Sequence, residues 1–382
     1  MKLKGEFGFS PPLIPLVYQL LGENVEALAN VQLLLSICSW MFLAYTVARS
    51  LRNFYLKPLV YFLILGLSLS HIISIWNKTI LSESFTLSIF VCLTGVWFLF
   101  VQNHSYKKAV AIMIISIMFV LVRNANAYVL LMLCGVLLIS STVSRLSAHR
   151  RYYLAIAAMC FILLPISNAV SDTKNQWTGY FLNVLSTRIL PDETLRTYFK
   201  NHGMPLTETL MSRSGKWSHE DNFAYYNDPE LGQFREWLYA HGKSTYVRFL
   251  ITHPVYLFVR PLHDLHDMFF SSRLIYYAPK GYVQTKLGKL FDYASAWGLY
   301  PVYIFLTGIL VGLNLLWACS KKSPVSWVPL IMILLVYPMA VLVWHGDSHE
   351  IDRHILPVVV QARLGFVLLL LFALDAVCKK RD

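Results

Sequence analysis

The sequence predicts an all-α polytopic membrane protein, with about nine transmembrane helices and a helical extracytoplasmic insert before the last three. Three observations predict it. Of the 382 residues, 56% are hydrophobic and only 14% are charged, where a soluble domain carries about 25% charged residues. The mean hydropathy is +0.52. Apolar runs able to cross a hydrocarbon layer of ~30 Å recur along the chain. The same composition excludes a disordered chain, a collagen and a secreted disulfide scaffold. The six cysteines (38, 92, 134, 160, 319 and 378) lie in or beside apolar runs and read as small buried hydrophobes.

Residues 1–26 form a lead-in. Pro11-Pro12 and Pro15 interrupt the apolar run that a signal peptide would need, so this stretch reads as an extracytoplasmic segment rather than a leader. The expected spans are 27–48, 57–76, 83–102, 107–123, 127–144, 151–170, 299–318, 325–344 and 356–378. The fourth and fifth are short and are divided by Arg123-Asn124-Ala125-Asn126; together they also read as one bent hairpin. The chain thus divides into an N-terminal bundle (1–170), a polar segment (171–297) and a C-terminal three-span segment (298–382).

Charge sets the expected orientation. The formal net charge is +12. One set of connectors carries Arg49, Arg52, Lys57, Lys107, Lys108, Arg145, Arg150, Arg151, Lys321, Lys322, Lys379, Lys380 and Arg381. The opposite set carries Lys78, Arg123 and Arg353. Basic residues concentrate on the cytoplasmic side of membrane proteins, so the C-terminus is expected inside, with the N-terminus and residues 171–297 outside. The excess charge is then a topology signal and argues against a nucleic-acid partner.

The polar segment holds 14 basic and 12 acidic residues, close to balance, and its periodicity is helical. Asp192-Glu193 opens a helix carrying Leu195, Tyr198 and Phe199, with Gly203 as its stop. Asp228-Pro229-Glu230 opens a second, in which Phe234, Trp237 and Leu238 share a face and His241-Gly242 ends the run. Tyr246, Phe249 and Leu250 mark a third, closed at His253-Pro254. The stretch 255–275 combines aromatic residues with Arg260, His263, His266 and Arg273, a composition suited to the membrane surface.

Polar residues collect at the extracytoplasmic ends of the expected spans. The densest cluster is 345–354, His-Gly-Asp-Ser-His-Glu-Ile-Asp-Arg-His, between the last two. Arg353 and His354, read at the start of the final helix, are suited to a phosphate or diphosphate. Arginine matches phosphate with a bidentate fork, and a helix N-terminus adds positive potential. Asp347, Glu350 and His349 offer a second reading, a divalent cation bridging a phosphate; a third is a solvated loop whose acids and bases pair with one another. Arg363, inside the final span, needs a counter-charge or a wet cavity. Glu83 at the mouth of the third span reads as a helix cap or as a pocket acid. Arg123 and Asn124 read as contacts to phosphate or sugar. No row of charges crosses the apolar spans apart from Arg363, which argues against a transporter.

Taken in order, Pro11-Pro12-x-x-Pro15-Leu16 before the Gln32 helix, Leu81-Ser82-Glu83, Arg123-Asn124-Ala125-Asn126, and Gly346-Asp347…Glu350…Arg353-His354 before a helix bearing Arg363 resemble the C-type, polyprenyl-phosphate-sugar-dependent membrane glycosyltransferases. The resemblance spans residues 9–365. It implies a bacterial cytoplasmic-membrane transferase that moves a sugar from a polyprenyl-phosphate donor to a lipid, glycan or protein acceptor of the cell envelope, on the extracytoplasmic side. Arg353, His354, Arg363 and Arg123 would bind the donor phosphate; Glu83, Asn124, Asp347 and Glu350 would line the pocket. No cofactor is required, although the acids would accommodate a divalent metal. The family places a catalytic aspartate in an outer loop after a first span. Here the acids before residue 27 are Glu6, Glu23 and Glu26, as though that first helix were lacking, and Glu6 is the stand-in for the base. An inactive homologue or accessory subunit of glycan assembly, and an envelope glycan ligase or polymerase, are the alternative readings.

Overall fold

The computed structural model describes residues 12–142, 149–172, 176–270, 281–294, 300–321 and 324–378. Those residues form helices joined by turns and short connectors, with no strand among them. Glu6 lies outside the described residues.

Among the described residues six helices are long and apolar enough to cross a membrane: Val25–Ser50, Ser82–Gln102, Arg150–Ala169, Pro301–Cys319, Trp327–Gly346 and Leu356–Val377. The expected second span is instead a pair, Phe54–Ser68 and His71–Lys78, bent by 60°. The bend falls at Leu69-Ser70, where the backbone of Ser70 leaves the helical region. The expected fourth and fifth spans are helices Tyr106–Val122 and Asn126–Thr142, each 17 residues long.

The chain folds as two compact units, drawn differently from the three-way division expected above. One comprises Met1–Ala169, Ser272–Tyr337 and Leu356–Asp382; the other comprises Val170–Ser271 and Pro338–Ile355. Helix Lys286–Ala294 belongs to the first unit because Phe291 packs on Phe62, with ring centroids 5.7 Å apart, and lies against Gly66. Residues 338–355 belong to the second because Trp344, His345 and Asp347 are bonded to the polar segment.

In the first unit Asn24 caps helix Val25–Ser50 by accepting from the Ala27 amide at 3.0 Å. That helix packs on Ser82–Gln102, burying Trp40, Leu43 and Val47 with Leu87, Val91 and Phe98. In lipid the gain from helix association is close packing rather than escape from water, so small residues mark the contacts. Gly95 lies beneath the Phe42 ring and Gly365 beneath Ile333. Gly288 is tighter: a Cβ there would stand 2.2 Å from the Leu69 carbonyl oxygen, which is backbone and cannot swing aside.

Side-chain ties define the two ends of this bundle. At one end Asp375 accepts from the amides of Arg52 at 3.0 Å and Asn53 at 2.8 Å. At the same end His104 stacks on His149 at 4.1 Å and bonds the Tyr153 hydroxyl at 2.7 Å. At the other end Gln32 donates to the carbonyls of Thr79 and Leu81, and Tyr128 donates to Asn168.

The second unit has its own core, built on Leu182, Leu185, Phe199, Leu231, Phe234, Leu238 and Phe249. Asp192 caps helix Glu193–Asn201 through the Leu195 amide at 3.0 Å, and Gly203 follows at φ +86°. The expected stop at His241-Gly242 is a continuation: a π-helical turn, Leu238–Gly242, runs directly into helix Lys243–Thr252. Gly242 stays helical at φ −54° and serves packing, since a Cβ there would meet Leu238 at 3.0 Å and Phe181 at 3.5 Å.

Two outcomes follow for stability. Gly288→Ala should cost about 1–3 kcal/mol through overpacking, read as a lower thermal midpoint of the detergent-solubilised protein. His104 is held neutral: burial, then the His149 ring, then Lys108 push its pKa down to about 4. Its unfolded value is about 6.5, so the stabilisation is complete above that pH and is lost as pH falls toward 4. Thermal scans between those limits should show the decline, and His104→Gln should flatten it.

Candidate functional site

Three polar clusters hold the residues singled out by the sequence. The first lies in the membrane unit. Glu83 sits in the first turn of helix Ser82–Gln102 and is buried. It does not cap that helix, whose N-cap is Leu81. Its carboxylate faces Arg123 at 3.8 Å. The Arg123-Asn124 break is held from both sides: Asn126 donates to the Phe119 carbonyl at 2.7 Å, and the Asn124 carbonyl accepts from Ser167 at 3.4 Å. Residues 40 positions apart are thus brought together, a contact no local spacing reveals.

The second cluster, in the same unit, answers what Arg363 needs. Its guanidinium lies 3.7 Å from Asp292 on helix Lys286–Ala294. Asp292 also accepts from the His71 amide at 2.8 Å and from the Gln284 side chain. Beside it the Tyr282 hydroxyl bonds Ser74 at 2.6 Å, and the His71 ring lies edge-on to Tyr282. Asp292 and His71 were not foreseen. The one available signal was that Arg363 required an acid, and the sequence does not say which.

The third cluster lies in the second unit, on the connector that follows helix Trp327–Gly346. Asp347 is buried and accepts from Asn183 Nδ2 at 3.0 Å and from the His349 amide at 3.0 Å. His354 Nε2 stands 3.3 Å from the other carboxylate oxygen. Glu350, at φ +50°, pairs with Arg353 at 2.9 Å. A non-glycine residue in this left-handed region is strained, and such strain gathers at functional sites. Arg353 and His354 occupy a separate helical turn, Ile351–His354, and the last helix begins afterwards at Leu356. They therefore do not stand in the first turn of that helix as expected, because the connector needs those residues to close its own ion pairs.

His349 turns away from the acids and packs on Trp217 and His219, with centroids 4.7 and 5.2 Å away. As metal ligands, Asp347, Glu350 and His349 would have to turn toward one shared point. Among the described residues no group of three or more His, Cys, Asp or Glu side chains converges in that way.

A wide helical turn positions the opposing wall. Residues Leu185–Ile189 form a π-helical turn after helix Gln176–Val184. The extra residue per turn keeps Asn183, Thr187 and Arg188 on one side. Thr187 bonds Ser348 at 2.8 Å. Arg188 lies over the Trp344 ring at 3.7 Å and donates to the Trp344 carbonyl. Burial works against the Arg188 charge, while Tyr246, Tyr256, Asp264 and Asp347 favour it. Trp344 donates to Asp264 at 2.8 Å, and Tyr246 bonds His345 at 3.0 Å. Asn183 and Arg188 escaped the sequence reading because a single amide and a single cation, each far in sequence from its partner, give no spacing signal.

Chemically, a buried carboxylate fixing an imidazole can orient it for proton transfer or hold it as a cation, and a neighbouring guanidinium suits an oxyanion. Comparison with protein-family models, curated proteins and solved structures gives no match for this chain.

The Arg363–Asp292 pair makes a stability prediction. Asp292→Asn should destabilise the membrane unit by on the order of 2 kcal/mol, less than a fully buried pair because Asp292 is partly exposed. Adding Arg363→Met should recover part of that loss, and a double-mutant thermal-unfolding cycle measures the coupling.

Proposed function

We propose that this chain is an integral-membrane transferase that moves a sugar from a polyprenyl-phosphate donor to an envelope acceptor. The reaction would take place on the extracytoplasmic side of a bacterial cytoplasmic membrane. The observation that carries the reading is the connector cluster: buried Asp347 fixed by Asn183 and opposed by His354, with Arg353 next to it. In this reading His354, oriented by Asp347, accepts the proton of the acceptor nucleophile. Arg353 stabilises the departing lipid phosphate as charge develops on it. Glu83 with Arg123, and Arg363 with Asp292, are ion pairs within the first unit, and each guanidinium is a second candidate for an anionic headgroup.

The nine-span count, with the C-terminus inside and the polar segment outside, is part of the proposal. The shared side of the 49–57 connector and the end of the last helix draws support from the Arg52 and Asn53 amides meeting Asp375.

A second reading is favoured by one observation. Arg353, His354, Arg123 and Arg363 each stand beside an acid of the same chain, as they would in an accessory subunit whose pairs are structural. Complementation of a deletion strain separates the two, with variants matched to wild type for membrane level. Arg353→Ala and Asp347→Asn should each lower envelope glycan modification by about 10²-fold, the scale of losing one transition-state contact. Full modification by both variants would sink the transferase reading and leave the accessory one.

A further inference from the structure

The second unit carries an apolar face that its own core leaves uncovered. Helix Pro254–Phe270 is pinned along one side. Asp264 accepts from the Trp344 indole at 2.8 Å, the Leu257 carbonyl bonds His345 at 3.0 Å, and Met268 is buried. Its other side presents Val255, Val259 and Leu262, spaced i, i+4 and i+7 and so aligned along one helix face. Val255 is 72% exposed and Leu262 55%. The preceding helix, Lys243–Thr252, continues the strip with Val247 and with Ile251, which is 72% exposed.

Cations border most of this strip; the exposed acid on the same helix, Asp267, lies at its far end beside His266, 3.1 Å away. Between Glu236 and Asp264 the sequence contains no acid, while Lys243, Arg248 and Arg260 lie within it. Arg248 and Arg260 are both exposed. An exposed aliphatic face edged by Arg248 and Arg260 matches the boundary between acyl chains and acidic headgroups. A protein-binding core is instead depleted of charge and enriched in aromatic residues. The bilayer is also a surface this chain already has at hand, because six of its helices meet the length and hydropathy of a span.

We infer that helices Lys243–Thr252 and Pro254–Phe270 form a monotopic lipid-binding face, embedding Val247, Ile251, Val255, Val259 and Leu262 among acyl chains while Arg248 and Arg260 engage anionic phospholipid headgroups. The inference does not depend on the transferase reading. It gives the second unit an attachment to the bilayer beyond the chain crossings that join it to the spanning helices.

The test uses the full chain in nanodiscs, with an environment-sensitive fluorescent amino acid introduced singly at Val255, Leu262 or Glu236. The same probe at Leu316, an exposed position of helix Tyr300–Lys321, reports correct insertion. Phospholipids brominated in the acyl chain should quench the probe at 255 and 262 several-fold more than at 236. In discs containing phosphatidylglycerol, Arg248→Glu with Arg260→Glu should lower that quenching at least two-fold while the Leu316 signal holds; Arg248→Gln with Arg260→Gln should act in the same direction. Quenching at 255 and 262 no greater than at 236 overturns the inference. Iodide then tells which alternative holds: iodide-accessible probes mean a face open to water, and probes shielded from both quenchers mean a protein partner. Quenching indifferent to both arginine variants overturns the assignment of anionic headgroups.

Discussion

A charge inside an apolar bundle must find its counter-charge within the same chain, and in this protein the search reaches across long stretches of sequence. Glu83 finds Arg123 across a hairpin, and Arg363 finds Asp292 on a short helix far upstream. Asp375 takes the backbone amides of Arg52 and Asn53. The penalty for leaving any of these groups alone is several kcal/mol in a low-dielectric surrounding. Each tie therefore fixes which helix ends meet. The apolar contacts between helices are comparatively non-specific, and in lipid they draw little from the hydrophobic effect.

The same logic explains the shape of the polar segment. Its helices are short, and two are joined through π-helical turns at Leu185–Ile189 and Leu238–Gly242. Those turns are where local periodicity yields to tertiary demand. The first turns Asn183, Thr187 and Arg188 toward the 344–348 stretch. The second lets Trp237 and Leu238 stay in the core while the chain continues into Lys243–Thr252. The strained backbone at Glu350 is a third such concession, and it places a carboxylate against Arg353.

The connector 345–354 is held at several points along its length. Asn183 and Tyr246 hold Asp347 and His345, and Thr187 holds Ser348. Asp347 in turn opposes His354, two positions before the last helix begins. A fixed imidazole beside a fixed guanidinium is a pre-organised arrangement, and pre-organisation is what makes electrostatic stabilisation effective in a site.

By itself the sequence determined the class of protein, most helix positions and several of their ends. Those properties are local. Hydropathy over about 20 residues decides a span, and a capping side chain such as Asp192 needs only its neighbours three residues on. The tertiary structure decided the bend at Leu69-Ser70, the continuation through Gly242, and the partners of Arg363, Glu83 and His354. It also moved Arg353 and His354 out of the final helix and brought Asn183, Arg188, His71 and Asp292 to polar clusters that sequence reading had left without them. Counter-charge pairing depends on separation in space, with an energy that falls as the inverse of distance, and residues far apart in the chain carry no local spacing signal of that separation.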